Sequence, residues 1–599
     1  MKKRRFNIKC MVIPLLGMAL LTACGSSKES TQQDMTEVVE ETQEQTGLGE
    51  DNRYTQTGNL PITDNDALYE QTKDDQVVTM YLTVQSGNAS EGTNHTWTEI
   101  NQYSVYDYEY MGVDRYKVEG TLKVGNESGP VLGEFGYEAA TPNVTVSIRG
   151  QSSSSNAQKN YKIRIRDGKG SYQNQKIINL NKHMSEGLRF RNKLCYDLMK
   201  DLPGMMSART QFVHLYVKDM TKGGSGEYED YGLYTQVEQI NKTYLKMHGL
   251  DKNGQLYKVN FFEFQRYEDI IRLSSDAGYD ADSFEEYLEI KGDNDHSKLI
   301  EMLDDVNDTS KPIEETFAKW FDEENVLSWL AFHILVGNKD TQSRNVFLYS
   351  PLNVDKWYFI SWDNDGSFAA LESTFTGSRS GLEWENGISN YWGNTLFRRI
   401  FKSQELRAKL DERILLYRNL LTEDKLTQLA QKYNKLIEPY LWRLPDVLYM
   451  RLTYEERQQV LEEFPKEIEI NYQKYLESYE KPQPFYIGVP QENTDGLHLE
   501  WDISYDFQGE DITYTVQLSD TYTFTTVLYE ESNLHSPMIT MPVQLEPGKY
   551  YIRVKATNES GREQYAFDTY MTEEGKQYGI KCFYYLEDGS IVEDGANDE

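Results

Sequence analysis

Three polar residues in the middle of the chain stand at the ends of apolar runs. Asp340, Asn345 and Asp363 all lie in the stretch GNKDTQSRNVFLYSPLNVDKWYFISWDND, residues 337–365. Magnesium prefers hard oxygen ligands and keeps several waters, so one asparagine and one aspartate suffice when nucleotide phosphates complete the shell. A further carboxylate nearby can orient an acceptor hydroxyl and take its proton. These residue types therefore fit Mg²⁺-dependent phosphoryl transfer.

The elements around these residues predict how they meet. ENVLSWLAFHILV, residues 324–336, is apolar enough for a largely buried helix that leads into a loop at Asp340. VFLY and WYFISW, separated by a turn, predict a β-hairpin. A hairpin brings its outer ends together, so we expect Asn345 and Asp363 to lie side by side and close to Asp340. The spacing of Asp340 and Asn345 matches the D-x-x-x-x-N of a protein-kinase catalytic loop, and Asp363 follows where a kinase has its metal-binding aspartate.

A second candidate segment, VTVSIRGQSSSSNAQKNYKIRIRD, lies upstream at residues 144–167. It predicts a strand, a small polar loop and a second strand that carries Lys159 and Lys162. A lysine on such a strand can reach nucleotide phosphates while the loop covers them. Kinases usually have a glycine-rich loop, and serines 152–155 stand in its place here. The alternative for Lys162 is a solvated charge on a strand.

Three further residues have two interpretations each. Glu238 could orient the lysine or lie near the base pocket, or it could be an exposed residue at a strand end. Arg149 could clamp phosphate or pair with a surface carboxylate. Asp365 could add a ligand for a second metal, although DNDG is also favourable turn chemistry. A calcium loop is disfavoured because the full EF-hand pattern is absent.

The ordered motifs resemble the spore-coat CotH family of atypical protein kinases. RGQSSSSNAQKNYKIRIR is similar to the family's RGxSS…KxYKI segment, and GLYTQVEQI to its G-x-Y-x-x-x-E-x-I segment. NKDTQSRNVFLY…WYFISWDNDGSF is similar to its N-x-D…N…W-D-x-D-G-x-F core. The resemblance covers roughly residues 75–450.

This resemblance implies a role for each matched residue. Asp340 would be the catalytic carboxylate, Asn345 and Asp363 metal ligands, and Lys162 a phosphate contact. The implied reaction transfers the γ-phosphoryl group of ATP to Ser or Thr of a protein, with Mg²⁺, or Mn²⁺ in its place, as cofactor. The protein substrate stays unknown, since a family predicts fold better than substrate.

The first residues, MKKRRFNIKCMVIPLLGMALLTACGSS, predict export. They contain a basic region, an apolar run from Met11 to Leu21 and a small-residue site that ends at Cys24. LTAC followed by glycine resembles the bacterial lipobox, in which the cysteine is acylated; the alternative is a plain secretory signal with a stray cysteine. We therefore expect cleavage after residue 23 and a lipid anchor at Cys24 on the outer face of the bacterial cell membrane.

Composition divides the rest of the chain. Residues 24–59 are polar and predict a flexible tether. Residues 60–481 predict a CotH kinase-like domain of the α+β class with two unequal lobes, because strands come first and helices follow. Residues 482–565 resemble a fibronectin type III module and predict a small all-β sandwich that is a candidate for binding a surface protein or a polysaccharide. Residues 566–599 read as an acidic C-terminal extension.

Several function classes are excluded or disfavoured. The formal charge of −34 argues against a nucleic-acid partner, because a polyanion would be repelled. HExxH, GxSxG and Walker motifs are absent, and the distant pair Cys195 and Cys582 indicates neither zinc nor a disulfide framework. A catalytically inactive kinase-like binding or assembly protein on the cell surface stays an alternative, because little ATP is present outside cells.

The lipid anchor gives the first testable prediction. Cys24→Ser removes the thiol that would be acylated, so the protein should move from the membrane fraction to the medium, because several acyl chains hold a protein where one is marginal. Fractionation followed by immunoblotting measures this, and equal retention of the variant and the wild type in the membrane would contradict the anchor.

Overall fold

The computed structural model describes residues 62, 64–377, 384–573 and 575–594. The predicted signal peptide, Cys24 and the tether lie outside these residues. The described chain forms two compact units. The larger comprises the described residues up to Thr376 together with Lys402–Glu469, and the smaller comprises those of 377–401 and 470–594. Among the described helices, none has the length and apolarity needed to cross a membrane.

The larger unit begins with an eight-stranded sheet in the order β1-β7-β8-β6-β5-β4-β2-β3. Strand β1 also pairs with β2, so the pairings close into a ring. Alternate side chains of these strands are buried together, as in β2, where every second residue is buried. The strands are Val78–Gln85 (β1), Val118–Asn126 (β2), Gly129–Pro130 (β3), Val144–Arg149 (β4), Asn160–Ile165 (β5), Ile177–Asn181 (β6), Thr210–Asp219 (β7) and Tyr228–Glu238 (β8).

A second sheet of the larger unit has four strands in the order β10-β9-β11-β12. The predicted hairpin is present: β11 and β12 pair antiparallel from Val346↔Ser361 to Tyr349↔Tyr358. The predicted buried helix precedes it as Glu323–Leu335, with Asp322 accepting a hydrogen bond from the backbone of Asn325 at its start. The strands are Gln255–Val259 (β9), Leu288–Ile290 (β10), Val346–Ser350 (β11) and Tyr358–Ser361 (β12).

The sequence predicts helices after the first strands, and in the structure helices dominate the chain from about residue 281 to 480. The α-helices of the described residues are Trp97–Gln102, Val105–Met111, Arg191–Met199, Lys242–Met247, Ala281–Glu285, Ser297–Asn307, Ile313–Trp320, Glu323–Leu335, Glu372–Thr376, Thr395–Lys402, Gln404–Leu420, Glu423–Leu441, Tyr454–Glu463 and Glu467–Glu480. Short 3-10 helices lie at Asp66–Gln71, Ala89–Glu91, Ser152–Ser155, Lys339–Thr341, Gly387–Tyr391, Asp446–Tyr449 and Phe464–Lys466.

The smaller unit is rich in strands at its C-terminal end. One sheet has the order β13-β14-β17 and another the order β16-β15-β18-β22-β23; β19 pairs with β18, and β20 pairs with β21. The strands are Gln491–Asn493 (β13), Gly496–Glu500 (β14), Ile512–Ser519 (β15), Val527–Leu534 (β16), Met538–Met541 (β17), Gly548–Asn558 (β18), Glu563–Tyr565 (β19), Thr569–Thr572 (β20), Gly575–Tyr578 (β21), Ile580–Tyr585 (β22) and Ile591–Glu593 (β23).

The limits of this unit differ from the predicted 482–565. Strand β22 pairs with β18, and Phe583 lies in the same buried cluster as Trp501, so residues placed in an acidic extension complete the sheet. The acidic residues around KCFYYL hid this strand in a composition-based division. The mixture of helices and sheets and the all-β C-terminal end are confirmed; the two-lobed arrangement and the fibronectin type III likeness stay predictions.

Glu238, at the end of β8, lies in a buried charged cluster. Arg209 donates to one carboxylate oxygen at 2.5 Å, and the other oxygen lies 3.1 Å from Nε2 of His248. Nδ1 of His248 faces Asp64. Burial opposes the charge of both groups, yet their hydrogen bonds lower the pKa of Glu238 to about 2 and raise the pKa of His248 to about 9. The partners of Glu238 here are therefore Arg209 and His248, and they stabilise the fold as charged groups.

This cluster predicts a pH dependence. His248 has a raised pKa, so its contribution is complete below its ordinary value of 6.5 and is lost as the pH rises through about 9. The thermal midpoint of the larger unit should therefore fall between these pH values. Each pKa unit corresponds to about 1.4 kcal/mol, so the loss is on the order of 3 kcal/mol at most.

His248→Gln should flatten this part of the pH profile, measured by calorimetry. The control is His296→Gln, because burial lowers the pKa of His296 to about 4 and this residue does not titrate in that range. An unchanged slope in His248→Gln would contradict the assignment.

Candidate active site

The β11–β12 hairpin places two of the predicted residues side by side. The backbone N–H of Trp362 donates to the carbonyl of Asn345 at 3.0 Å, which extends the ladder by one rung beyond Val346↔Ser361. Asn345 has φ +59° and Asp363 has φ +50°, a left-handed backbone that side chains other than glycine rarely adopt. Such conformations cluster at functional sites, where the surrounding structure holds them. Both side chains thus leave the sheet at one end of the hairpin.

Asp340 lies in the short turn Lys339–Thr341 that follows the buried helix. Its side chain is about half exposed, and one of its oxygens, Oδ1, accepts a hydrogen bond from Arg344 at 2.7 Å. The other oxygen, Oδ2, faces the loop after β12, since a Cβ added to Gly366 would lie 3.8 Å from it. The turn is held by Asn338, whose Oδ1 accepts from the backbone of Asp340 at 3.3 Å. Asp340 therefore lies beside the loop that carries Asp363.

The electrostatics of Asp363 show a shortage of positive charge. Burial, with Asp365 and Asp340 as neighbouring negative charges, raises the pKa of Asp363 to about 7, although His183 and Arg149 oppose the shift. Carboxylates gathered in a partly buried site favour the binding of a cation, because a cation restores their ionised forms. The arrangement of Asp363 fits a metal ligand.

Arg149 ends strand β4 close to this site. Its guanidinium lies 5.7 Å from the ring centroid of Trp362 and donates to Oδ1 of Asn181. Burial lowers the pKa of Arg149, and the charge of Asp363 acts in the opposite direction. The structure therefore brings Arg149 and Asp363 together, as a phosphate clamp beside a metal ligand would require.

Lys162 lies on the same face of the large sheet as Arg149. Arg149 pairs with Asn160, and Lys162 follows Asn160 by two residues, so their side chains share one face. The opposite face of β5 contributes Tyr161 and Ile163 to the buried core. The strand thus directs Lys162 to the side of the sheet that carries Arg149, half-buried in its surroundings.

Lys159 is used differently. It is buried, and its Nζ donates to the carbonyl of Ser154 at 2.5 Å, inside the turn Ser152–Ser155. Burial also lowers the pKa of Lys159. Lys159 therefore lies with the serine turn and supports its shape. Glu238, whose partners are described above, lies in the row of Ile178 and Ile163, on the opposite face of the sheet from Lys162.

Asp365 lies two residues beyond Asp363 in the same loop. Ser185 donates to its Oδ2 at 3.2 Å, and Nδ1 of His183 lies 3.8 Å from that oxygen. Burial opposes ionisation of Asp365, but His183 and Arg191 are among the groups that lower its pKa. Asp365 is thus ionised, and it faces a histidine that sequence reasoning missed.

Sequence reasoning also missed Glu186 and Arg344. The segment HMSEG carries a histidine and a glutamate three residues apart. This pair indicates a metal site only when a third donor is known to lie nearby. Arg344 directly precedes Asn345, and its guanidinium stacks 4.9 Å from the ring centroid of the exposed Phe261. The D-x-x-x-x-N pattern specifies only its first and last residues, so it gives no reason to select the arginine between them.

Comparisons with known proteins give three findings. A solved structure from Shewanella oneidensis MR-1, the toxin–antitoxin system HipA, HipB and its operator DNA complex, contains a chain with 13% identity and a TM-score of 0.20. The match covers 50% of this chain and 58% of that chain. A TM-score this low supports no conclusion about fold or function. No curated protein matches the chain.

The family comparison is informative. The family model described as CotH kinase protein matches residues 146–471, more than half of the chain. The matched range contains the serine turn, Lys162, and the Asp340, Asn345 and Asp363 set. The chain belongs to the CotH kinase protein family.

Proposed function

We propose that this chain is a metal-dependent protein kinase that transfers the γ-phosphoryl group of ATP to Ser or Thr of a protein substrate. The observation that carries this proposal is the convergence of Asp340, Asn345 and Asp363 at one end of the hairpin. Family membership supports the reaction class.

Asn345 and Asp363 would hold the metal. They offer one amide and one carboxylate oxygen, which fit Mg²⁺, or Mn²⁺ in its place, provided that nucleotide phosphates supply further oxygens. The buried negative charge around Asp363 supports this fit. When bound, the metal neutralises charge that develops on the transferred phosphoryl group.

Asp340 would act on the acceptor. Arg344 occupies Oδ1 and fixes the carboxylate, while Oδ2 is directed to the Asp363 loop. There Oδ2 can accept a hydrogen bond from the substrate hydroxyl and take its proton as the oxygen attacks the γ-phosphorus. The bond between that phosphorus and the leaving oxygen of ADP breaks in the same displacement, and the proton then passes from Asp340 to water.

Phosphate contacts would come from Arg149, Lys162 and the serine turn. Gly150 leads into this turn with φ +88°, and a Cβ there would lie 2.1 Å from Oγ of Ser153. A side chain at position 150 would therefore be strained at this backbone angle and would have to move the hydroxyl of Ser153. Glycine at this one position lets the serine turn approach a ligand as a glycine-rich loop does in other kinases.

We further propose that the kinase acts outside the cell, tethered through Cys24, and that the strand-rich smaller unit spaces it or binds a surface partner. The lipobox-like LTAC and the polar segment 24–59 support the tether. The strong negative charge mildly favours basic acceptor proteins.

Asp363→Ala should weaken Mg·ATP binding and abolish phosphoryl transfer, because phosphate and Asp363 hold the metal jointly. Isothermal titration should show cooperative binding of nucleotide and Mg²⁺ in the wild type, and this cooperativity should disappear in the variant. The matched control is Asp355→Ala, an exposed carboxylate in the turn at the other end of the same hairpin. Full Mg·ATP affinity in Asp363→Ala would exclude it as a ligand.

Asp340→Ala should leave Mg·ATP binding within a few-fold and lower turnover by on the order of a hundredfold or more, as the loss of a positioned base does. A γ-phosphate transfer assay on a generic basic protein measures this. If the wild type binds Mg·ATP without transfer or hydrolysis and Asp340→Ala changes nothing, the inactive binding-protein alternative is correct.

A further inference from the structure

Two buried donors and one half-buried donor converge beside the proposed nucleotide site. His183, Glu186 and Asp365 each offer one ligand atom, and these atoms all lie within 4.8 Å of one another. The side chains of His183 and Glu186 are almost fully buried, and that of Asp365 is 30% exposed, so one side of the group is open. The three residues come from two separate segments, the loop before the helix Arg191–Met199 and the loop after β12.

The separations suit a shared metal ion better than direct hydrogen bonds. Nδ1 of His183 lies 3.5 Å from Oε1 of Glu186 and 3.8 Å from Oδ2 of Asp365. A charge-assisted hydrogen bond would bring such atoms to about 2.8 Å. Ligands held about 2.1 Å from an ion are about 3.0 Å apart when the ion is octahedral and about 3.4 Å apart when it is tetrahedral. A buried ring nitrogen that stands between two carboxylates at these distances leaves room for an ion among the three.

Burial raises the pKa of Glu186 and the charge of Arg191 opposes this shift, but the guanidinium of Arg191 forms its ion pair with a different carboxylate. Arg191 pairs with Glu372 at 3.1 Å, and it contacts Glu186 through its backbone N–H, which donates at 2.8 Å. His183 has φ +48°, in the left-handed region that residues other than glycine adopt at some cost. The backbone thus holds the imidazole toward Glu186 and Asp365 at a conformational cost.

Asn192 contacts Nε2 of His183, the ring nitrogen that points away from the two carboxylates. Its Oδ1 accepts from the backbone of Asn364 at 2.9 Å, so its Nδ2 faces Nε2 of His183 at 3.1 Å. In the metal-free chain, Nε2 therefore accepts a hydrogen bond and the ring hydrogen lies on Nδ1. A metal at Nδ1 moves this hydrogen to Nε2, where it meets the N–H₂ group of Asn192. The native asparagine thus weakens metal binding, and an acceptor at this position would strengthen it.

We propose that His183, Glu186 and Asp365 form a second metal site, which binds a divalent transition ion such as Mn²⁺ without nucleotide. One imidazole with two carboxylates suits Mn²⁺ or Zn²⁺ better than Mg²⁺, which prefers oxygen donors and water. The site differs from Asn345 and Asp363, which need phosphate oxygens, and it does not depend on the proposed kinase function.

The first experiment titrates Mn²⁺ into metal-free, nucleotide-free full-length protein and follows free Mn²⁺ by electron paramagnetic resonance. The wild type should bind Mn²⁺ at one site, and His183→Gln and Asp365→Asn should each weaken this affinity at least tenfold. His296→Gln, which changes a buried histidine bonded to Tyr257, is the matched control and should bind as the wild type does. Wild-type affinity in both His183→Gln and Asp365→Asn would overturn the proposal.

A gain-of-function variant covers the case in which those variants fold poorly. Asn192→Asp gives both Nε2–H of His183 and N–H of Asn364 an acceptor, so at pH 8 it should tighten Mn²⁺ binding several-fold. A structural histidine without a metal role predicts no change in Mn²⁺ affinity, and this result would overturn the site.

A crossed comparison separates this proposal from the kinase. Asp363→Asn should weaken Mg·ATP binding and keep nucleotide-free Mn²⁺ binding, whereas His183→Gln should weaken nucleotide-free Mn²⁺ binding. Loss of nucleotide-free Mn²⁺ binding in Asp363→Asn, with retention in His183→Gln, would assign the ion to Asp363 and overturn the second site. If neither the wild type nor any variant binds Mg·ATP, this result would contradict the proposed kinase function and leave the second metal site unaffected.

Discussion

The hydrogen bond from the backbone of Trp362 to the carbonyl of Asn345 is the constraint on which the candidate site depends. It closes the open end of the β11–β12 hairpin and sets Asn345 and Asp363 next to each other in left-handed conformations. The buried helix Glu323–Leu335 then delivers Asp340 to the same end. A shift of register by one residue would turn alternate side chains to the other face and separate Asn345 from Asp363.

Negative charge is concentrated at this end of the hairpin. Burial, together with the neighbouring charges of Asp365 and Asp340, raises the pKa of Asp363 to about 7. Arg149 and His183 compensate part of this charge, and Arg344 holds Asp340 from the other side. A metal with nucleotide phosphates at Asp363, and a second ion among His183, Glu186 and Asp365, would complete the compensation. In the two proposals, two chemically different sets of ligands bind cations that compensate the same excess of negative charge.

The sequence predicted local features well and long-range partners poorly. The hairpin and the helix before it follow from apolar runs and turn residues, so the meeting of Asn345 and Asp363 could be foreseen. Lys159 could not be separated from Lys162, because only the folded serine turn shows that Nζ of Lys159 is bound to Ser154. Glu238 contacts Arg209, which is twenty-nine positions away, and His183 lies near Asp365, which is 182 positions away. No local sequence pattern predicts such pairs. The C-terminal strand Ile580–Tyr585 was also missed, because its neighbours in sequence are acidic and because it forms by pairing with the distant strand β18.

The central claim is that the hairpin end assembles a phosphoryl-transfer site. The most direct measurement incubates the purified chain with γ-³²P-ATP, Mg²⁺ and a basic acceptor protein, then hydrolyses the acceptor and separates its phosphoamino acids. The account predicts labelled phosphoserine or phosphothreonine with Mg²⁺ and none when a chelator removes the metal. A protein that binds Mg·ATP and yields neither labelled acceptor nor ADP under any metal would contradict the account.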